Sequence, residues 1–156
     1  MTETKDQLKE TKDQLRREFE TTDQELTRLL NQRAAYKDNF DSYSTDTAIL
    51  YHDVLEILYE NLEPTREPDA ECQRIDTEVL GLLEKRVSEL APAIANIKKR
   101  LNQPTYDAEK EKEKIAARIK QIEDERLEYL NSDKITRIFN LIFKASKKEQ
   151  DKIRGF

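Results

Sequence analysis

The segment that decides the fold is Ile135-Thr-Arg-Ile-Phe-Asn-Leu-Ile-Phe-Lys-Ala-Ser-Lys-Lys-Glu-Gln150, near the end of the chain. Its isoleucine and phenylalanine residues recur every three or four positions, which predicts an apolar stripe along one face of an α-helix. Continuing this stripe places Ser146 and Gln150 where core residues should follow. Burying a hydroxyl or an amide without a partner costs about 1–3 kcal/mol. Such a face therefore indicates a pocket, or a contact with another polar group.

The composition favours long, thin amphipathic helices. Of the 156 residues, 36% are hydrophobic and 39% are charged, and two are glycine. A net charge of −5 argues against nucleic acid or an anionic membrane as the main partner, because both require a positively charged surface. A small anion could still bind to a local group of cations. No apolar run is long enough to span a membrane and the N-terminus lacks a signal-peptide pattern, so we expect a cytoplasmic protein.

The single cysteine and the single histidine do not indicate a metal site. Cys72 has no partner for a disulfide and lies three residues before Ile75 on an apolar stripe, so we expect it to pack in the core. His52 has no second histidine or cysteine at ligand spacing, and we interpret it as a surface or hydrogen-bonded residue. We expect neither a metal nor a cofactor.

Breaks in the apolar pattern divide the chain into two parts. The predicted helices cover residues 2–40, 47–62, 69–101, 108–130 and 131–153. The first two form an N-terminal helical hairpin, residues 1–67, and the others form a helical domain, residues 68–156, after a proline-containing linker at 63–68. No strand pattern is present. The expected fold class is all-α, a bundle of long amphipathic helices in which both parts pack as one unit.

The first and third predicted helices are similar in sequence. Overlaying them at an offset of 53 residues matches Asp23 with Asp76 and Arg33 with Arg86, together with a leucine pair and a glutamate. Leucine pairs and glutamates are common in any amphipathic helix. Internal duplication and chance similarity therefore both remain open.

Several short motifs in the second part carry the chemistry of the chain. They are Ile75-Asp76, Leu82-Leu83-Glu-Lys-Arg86, Lys98, Asp107-Ala-Glu-Lys110-Glu111 and Ser146-Lys-Lys-Glu-Gln150. In this order and at these separations they resemble the all-helical chorismate mutase family over residues of about 69–153. The resemblance implies a chorismate mutase-like three-helix unit preceded by the hairpin, with a partial second copy of its first helix at about 8–40.

The resemblance also implies a reaction and a set of site residues. The reaction is the cofactor-free Claisen rearrangement of chorismate, a small dianion, to prephenate in aromatic amino acid biosynthesis. Its transition state develops negative charge on the ether oxygen, which cations and amide donors stabilise. The implied catalytic residues are Arg86, Lys98 and Gln150, and the implied substrate-binding residues are Asp107, Lys110, Glu111 and Ser146.

One departure from the family pattern concerns a further arginine. The family dimer sends this arginine into each pocket from the partner's first helix, at the position that is Asp69 in this chain. The same position counted back from Arg33 in the first copy is Arg16. We therefore expect the hairpin to replace the partner and Arg16 to bind substrate, in an intramolecular pseudo-dimer. Arg66 is the rival donor, and a homodimer or a solvated coiled coil with an exposed Arg16 are the alternatives.

Two further departures concern lysines. Lys98 follows Arg86 by twelve residues rather than the family's eleven, so on a straight helix Ile97 would face the pocket instead. A kink or bulge near Pro92 would return Lys98 to the pocket, and otherwise Lys98 is a surface lysine. Lys110 replaces the family's arginine and loses its two-pronged geometry. The related isochorismate pyruvate lyase and aminodeoxychorismate mutase therefore remain open, as does a non-catalytic coiled-coil interaction protein.

Overall fold

The computed structural model describes residues 3–155, which form six α-helices and one π-helical turn. The elements are α1 (Lys5–Arg33), α2 (Asp46–Leu58), α3 (Ala70–Glu84), the π-helical turn (Lys85–Leu90), α4 (Ala91–Arg100), α5 (Ala108–Glu125) and α6 (Ser132–Arg154). Within residues 3–155, strand-like pairing is limited to one isolated bridge between Tyr36 and Arg66. The expected all-α fold is confirmed. Across that same range, no helix combines the length and the apolar character needed to cross a bilayer.

Helix α1 begins at a capping box and ends earlier than the sequence predicted. The Thr4 hydroxyl accepts from the backbone N–H of Gln7 at 3.1 Å, and the Gln7 side chain accepts from the N–H of Thr4 at 2.8 Å. The predicted extension to residue 40 is wrong, because the helix ends at Arg33. Beyond it, the N–H of Lys37 donates to the carbonyl of Arg66 at 2.8 Å. This long-range contact competes with helix continuation, and no local glycine or proline announces it.

The remaining helices are present with shifted ends. Helix α2 ends at Leu58 rather than residue 62, and Asn61 adopts a left-handed conformation with φ of 60°. Helix α5 ends at Glu125 rather than residue 130, because Arg126 has φ of 54° and cannot continue a right-handed helix. Helix α6 begins where predicted, with the Asn131 side chain accepting from the first turn.

The predicted helix at 69–101 is interrupted by the π-helical turn. Pro92 occupies the second position of α4, directly after this turn. Proline has no N–H, and its ring clashes with the carbonyl four residues earlier, here that of Ser88. Widening the preceding turn relieves the clash and accommodates one extra residue. The π-helical turn therefore absorbs the extra residue between Arg86 and Lys98.

Helix α1 lies antiparallel to the continuous helix formed by α3, the π-helical turn and α4. Its N-terminal half packs on α4 in a small apolar cluster of Leu8, Leu15, Phe19, Leu90, Ile94 and Ile97. Its C-terminal half enters the main core with α2, α3 and α6, which includes Leu26, Leu30, Ile75, Val79, Leu83, Ile135, Phe139 and Ile142. Cys72 is 1% exposed and belongs to this main core, as predicted. The long first helix thus has apolar partners within its own chain.

Two ion pairs with buried arginines cross between α1 and the helix that lies antiparallel to it. Arg86 donates from Nε to Oδ1 of Asp23 at 2.9 Å, and Arg33 donates from Nε to Oδ1 of Asp76 at 2.7 Å. These four residues are among those that the offset of 53 matches. The arginine of each copy binds the aspartate of the other, which is the reciprocal pattern expected across a two-fold axis. This geometry favours a real repeat over chance similarity.

Candidate active site

Seven of the eight site residues named from the sequence line one pocket. They are Arg86, Lys98, Asp107, Lys110, Glu111, Ser146 and Gln150. The π-helical turn, α4, α5, α6 and the loop before α5 supply them, and Phe19 of α1 contributes to the wall. The cavity volume is about 60 Å³. A ring-sized ligand therefore needs the rim side chains, such as the half-exposed Lys110, to move outward.

Arg86 lies at the base of the pocket and is 2% exposed. Its Nε and Nη2 donate to the two oxygens of Asp23 at 2.9 and 3.4 Å, and its Nη1 donates to the Ser146 hydroxyl at 2.9 Å. The guanidinium also lies over Phe19 and Phe143, with 4.5 and 5.5 Å to the ring centroids. These contacts hold its side chain in one orientation. The polar Ser146 on the apolar face of α6 is thereby explained.

Lys98 lies on the pocket side of α4. Its ammonium donates to the carbonyl of Thr105 at 3.1 Å. Burial lowers the pKa of Lys98, and the nearby positive charges of Lys12 and Arg16 lower it further. Ile97 instead packs in the small apolar cluster between α1 and α4. Among the alternatives left by the sequence, the π-helical turn selects the one in which Lys98 faces the pocket.

The outer part of the pocket is formed by the start of α5 and the end of α6. Asp107 caps α5, with its Oδ1 accepting from the backbone N–H of Glu109 at 3.1 Å and of Lys110 at 3.2 Å. Lys110 lies 3.4 Å from a Glu113 oxygen and is half-exposed. Within residues 3–155, the Gln150 side chain lines the pocket without a hydrogen bond to another residue. Its amide is therefore available to a ligand.

Arg16 is the one predicted site residue that does not line the pocket. It is half-buried, one turn before the pocket residue Phe19, and close enough to Lys98 to lower the pKa of that ammonium. It therefore lies beside the pocket. The rival Arg66 lies elsewhere, with its guanidinium 4.5 Å from the Tyr36 ring centroid and Nη2 3.9 Å from Asp69.

Sequence reasoning missed Asp23 and Lys114 as parts of the site. Asp23 interrupts the apolar stripe of α1 between Phe19 and Leu26 and is 2% exposed, so a charge at a core position was the available signal. Lys114 lies one helical turn after Lys110 and lines the same pocket. The four-residue spacing from Lys110 was the only sequence signal for Lys114. The residues that Lys114 contacts, Phe19 and Phe143, are distant in the sequence.

The pocket is positively charged although the chain carries a net charge of −5. Its lining contains the cations Arg86, Lys98, Lys110, Lys114 and Lys147 and the anions Asp107 and Glu111. Asp23 neutralises Arg86 from behind. The remaining excess of positive charge suits a small dianion, because a partly enclosed cluster of one sign attracts the opposite charge.

Arg33, the counterpart of Arg86 in the first copy, does not line the pocket and is enclosed by other residues. Its side chain is fully buried. Besides binding Asp76, it donates to the Lys37 carbonyl at 3.1 Å, the Tyr59 hydroxyl at 2.8 Å and the Asn39 side chain at 2.9 Å. These donors are all directed at protein groups. The position related to the pocket by the repeat is therefore closed.

The described residues offer one group of potential metal ligands, His52, Asp53 and Glu56 on α2, whose ligand atoms lie within 4.8 Å of one another. All three are partly or fully exposed, and the His52 Nε2 lies 2.6 Å from the Tyr43 hydroxyl. Clusters of exposed acidic residues are common without a metal. This group lies outside the pocket and does not change the chemistry proposed for it.

Comparison with known proteins identifies the family. The family model described as chorismate mutase type II matches residues 69–151, which contain all seven predicted residues that line the pocket. Searches of curated proteins and of solved structures found no significant match. The family match covers more than half of the chain, and the described fold is all-helical, as the family requires. The chain belongs to the chorismate mutase type II family.

Proposed function

We propose that this protein is a chorismate mutase that isomerises chorismate to prephenate without a cofactor. The observation that carries the proposal is the convergence of Arg86, Lys98, Ser146 and Gln150, from three helical elements, on one positively charged pocket. The rearrangement is unimolecular and needs no proton transfer. A site that holds the compact conformer and stabilises charge on the ether oxygen is sufficient for it.

Arg86 and Ser146 bind one substrate carboxylate in this proposal. Asp23 occupies the Nε edge of the guanidinium, so the free N–H groups of Nη1 and Nη2 are the ones that remain for an incoming carboxylate. They form a two-pronged donor that matches the two carboxylate oxygens. Asp23 therefore acts as a positioning residue, because it fixes which edge of Arg86 the substrate meets.

Lys98 and Gln150 stabilise the ether oxygen as its bond to carbon breaks. The Lys98 ammonium has three donors and uses one for the Thr105 carbonyl, which leaves two for a ligand. The Gln150 amide donates a neutral hydrogen bond. Both side chains line the pocket before the substrate arrives, so little reorganisation is needed in the transition state.

The N-terminal helix α1 completes the pocket that a partner protomer completes in the family's dimer. The contacts of Asp23 with Arg86 and of Phe19 with the pocket support this arrangement. Arg16, one turn from Phe19, then approaches the second carboxylate when substrate binds. The active unit in this proposal is a monomer with one active site.

The test of the proposal is an assay of the purified protein. Chorismate consumption is followed by its ultraviolet absorbance, and prephenate is identified as the product. Isochorismate and aminodeoxychorismate are assayed in parallel, because Lys110 stands where the family has an arginine. Pyruvate release from isochorismate, or turnover of aminodeoxychorismate alone, would reassign the reaction within the family. No turnover of any of the three, with no stabilisation by a bicyclic transition-state mimic, would favour a non-catalytic interaction protein.

Replacing Gln150 with glutamate should restrict catalytic activity to low pH. An ionised carboxylate cannot donate to the ether oxygen and repels its developing charge, whereas the protonated acid can donate. We expect kcat/KM of Gln150→Glu to fall by about 10²-fold or more at pH 8 and to recover at low pH. Steady-state rates from pH 4.5 to 9 measure this, with Gln73→Glu, an exposed position on α3, as the matched control. Equal activity of wild type and Gln150→Glu at pH 8 would contradict the role.

Replacing Arg16 with alanine should raise KM for chorismate by about tenfold. A hydrogen bond to a charged group is worth about 1.5–3 kcal/mol, and the lower value applies because Arg16 lies at the partly exposed edge of the pocket. Arg17→Ala is the matched control, since Arg17 is the exposed neighbour of Arg16 on α1. Arg66→Ala should also leave KM unchanged. Molar mass in solution, measured beside the assay, should correspond to one 18.4 kDa chain. An unchanged KM for Arg16→Ala, or activity confined to a dimer, would refute the arrangement.

A further inference from the structure

Lys114 is a half-buried cation of the pocket for which the family resemblance supplies no role. It extends from α5 into the site, with its ammonium 4.8 Å from the centroid of Phe19 and 5.9 Å from that of Phe143. The guanidinium of Arg86 lies over the same two rings. Within residues 3–155, no hydrogen bond or ion pair engages the Lys114 ammonium. A partly buried cation near Arg86 therefore lies against two aromatic rings without an anionic partner.

The charge balance around Arg86 explains why a second cation would be needed at this position. Arg86 and Asp23 form a buried pair with 2% exposure of each side chain, so together they carry no net charge. A substrate carboxylate that binds Arg86 and Ser146 would add an uncompensated negative charge to a buried site, which is costly. One more cation at this position restores neutrality.

We propose that Lys114 is a substrate-binding residue, whose ammonium binds the carboxylate held by Arg86 and Ser146. This inference rests on the proposed function, since it requires a dianionic substrate in the pocket. Lys98 does not replace it, because its remaining donors are assigned to the ether oxygen in the proposed function. Phe19 and Phe143 hold both cations against one aromatic wall and exclude water from the carboxylate.

If Lys114 binds the carboxylate, ligand binding should change the protonation of its side chain, and this change can be measured. Burial lowers the pKa of Lys114 to about 8, and the positive charge of Arg86 is the next cause. The charged groups that face it are Arg86 from the π-helical turn, Asp23 from α1, Lys98 from α4 and Glu111 from α5. Since a bound dianion favours the ammonium form, ligand binding above pH 8 should be accompanied by uptake of a proton.

The first test is a comparison of Lys114→Met and Lys114→Arg with wild type. Lys114→Met should raise KM for chorismate by about tenfold or more at pH 7, and Lys114→Arg should retain most of the affinity. The kcat/KM of wild type should fall above pH 8. That decline near pH 8 should be absent in both variants, because methionine never carries a charge and arginine never loses it. Lys112→Met, exposed on the same helix, is the control and should behave as wild type.

A second measurement separates this inference from the proposed function. Calorimetric titration with a bicyclic dicarboxylate mimic of the transition state, at pH 9 in buffers of different ionisation enthalpy, counts the protons taken up on binding. Wild type and Lys112→Met should take up a proton that both Lys114 variants do not. Proton uptake that depends on Lys114 upholds the inference even if wild type leaves chorismate unchanged. Unaltered KM and pH profile in Lys114→Met, or no binding of the mimic by wild type, would overturn it.

Discussion

Replacing Arg86 with methionine is expected to lower kcat/KM for chorismate by about 10³-fold or more. In the proposed function the guanidinium binds a substrate carboxylate end-on, and its contacts with Asp23 and Ser146 fix its orientation. Removing one preorganised donor in an enclosed site typically costs about 10²–10³-fold, and loss of the charge adds to this. Steady-state kinetics at pH 7, with circular dichroism to verify the helical fold, measure the effect.

The control for Arg86→Met separates the loss of activity from the loss of stability caused by the unpaired Asp23 carboxylate. Asp23 would remain buried without a partner, which costs about 3–5 kcal/mol of folding free energy. The double variant Asp23→Asn, Arg86→Met removes this unpaired carboxylate and should recover much of the stability but none of the activity. Recovery of activity in the double variant would assign Arg86 a structural role only.

Replacing Arg33 with methionine is expected to reduce stability strongly and to leave kcat/KM nearly unchanged, in contrast to Arg86→Met. Arg33 is fully buried and binds Asp76, Tyr59, Asn39 and the Lys37 carbonyl. Its loss leaves a carboxylate and several acceptors unpaired, so the free energy of unfolding should fall by about 3–5 kcal/mol. For a chain of this length the melting temperature should fall by roughly 10 °C. Thermal and urea unfolding followed by circular dichroism provide the measurement.

The kinetics of Arg33→Met complete the comparison with Arg86. Below the melting temperature, kcat/KM should stay within about threefold of wild type, because the closed site around Arg33 does not touch the pocket. The double variant Asp76→Asn, Arg33→Met should regain part of the lost stability. A large loss of activity in a variant that remains folded would mean that the two sites are coupled, contrary to the structure.

The sequence alone predicted the part of the site that lies on strongly periodic helices. On α6, the apolar stripe fixed the direction of Ser146 and Gln150, because side chains four residues apart share a face. Arg86 was found instead from the motif Leu82-Leu83-Glu-Lys-Arg86 and its resemblance to the family. Local patterns were sufficient in these cases, since each helix carries both the apolar face and the polar residue.

What the sequence could not give depends on contacts between distant segments. Helix α1 ends at Arg33 because the following residues bond to the linker near Arg66, although residues 34–40 contain no helix breaker. The roles of Asp23 and Lys114 depend on which residues face them across the bundle. The π-helical turn was anticipated only as a possible kink or bulge near Pro92, because spacing alone does not distinguish such a bulge from a surface position of Lys98.

Both arginine–aspartate pairs form within one polypeptide. The residues around Arg33 and those around Arg86 are therefore different positions of one sequence and can mutate independently. In a symmetric homodimer a substitution appears in both halves, so a change that closes one site also closes the other. This chain is free of that constraint, so a mutation near Arg33 can be selected for folding alone while the residues around Arg86 are selected for the proposed reaction. The closed half then becomes a scaffold that can tolerate stabilising changes at no catalytic cost.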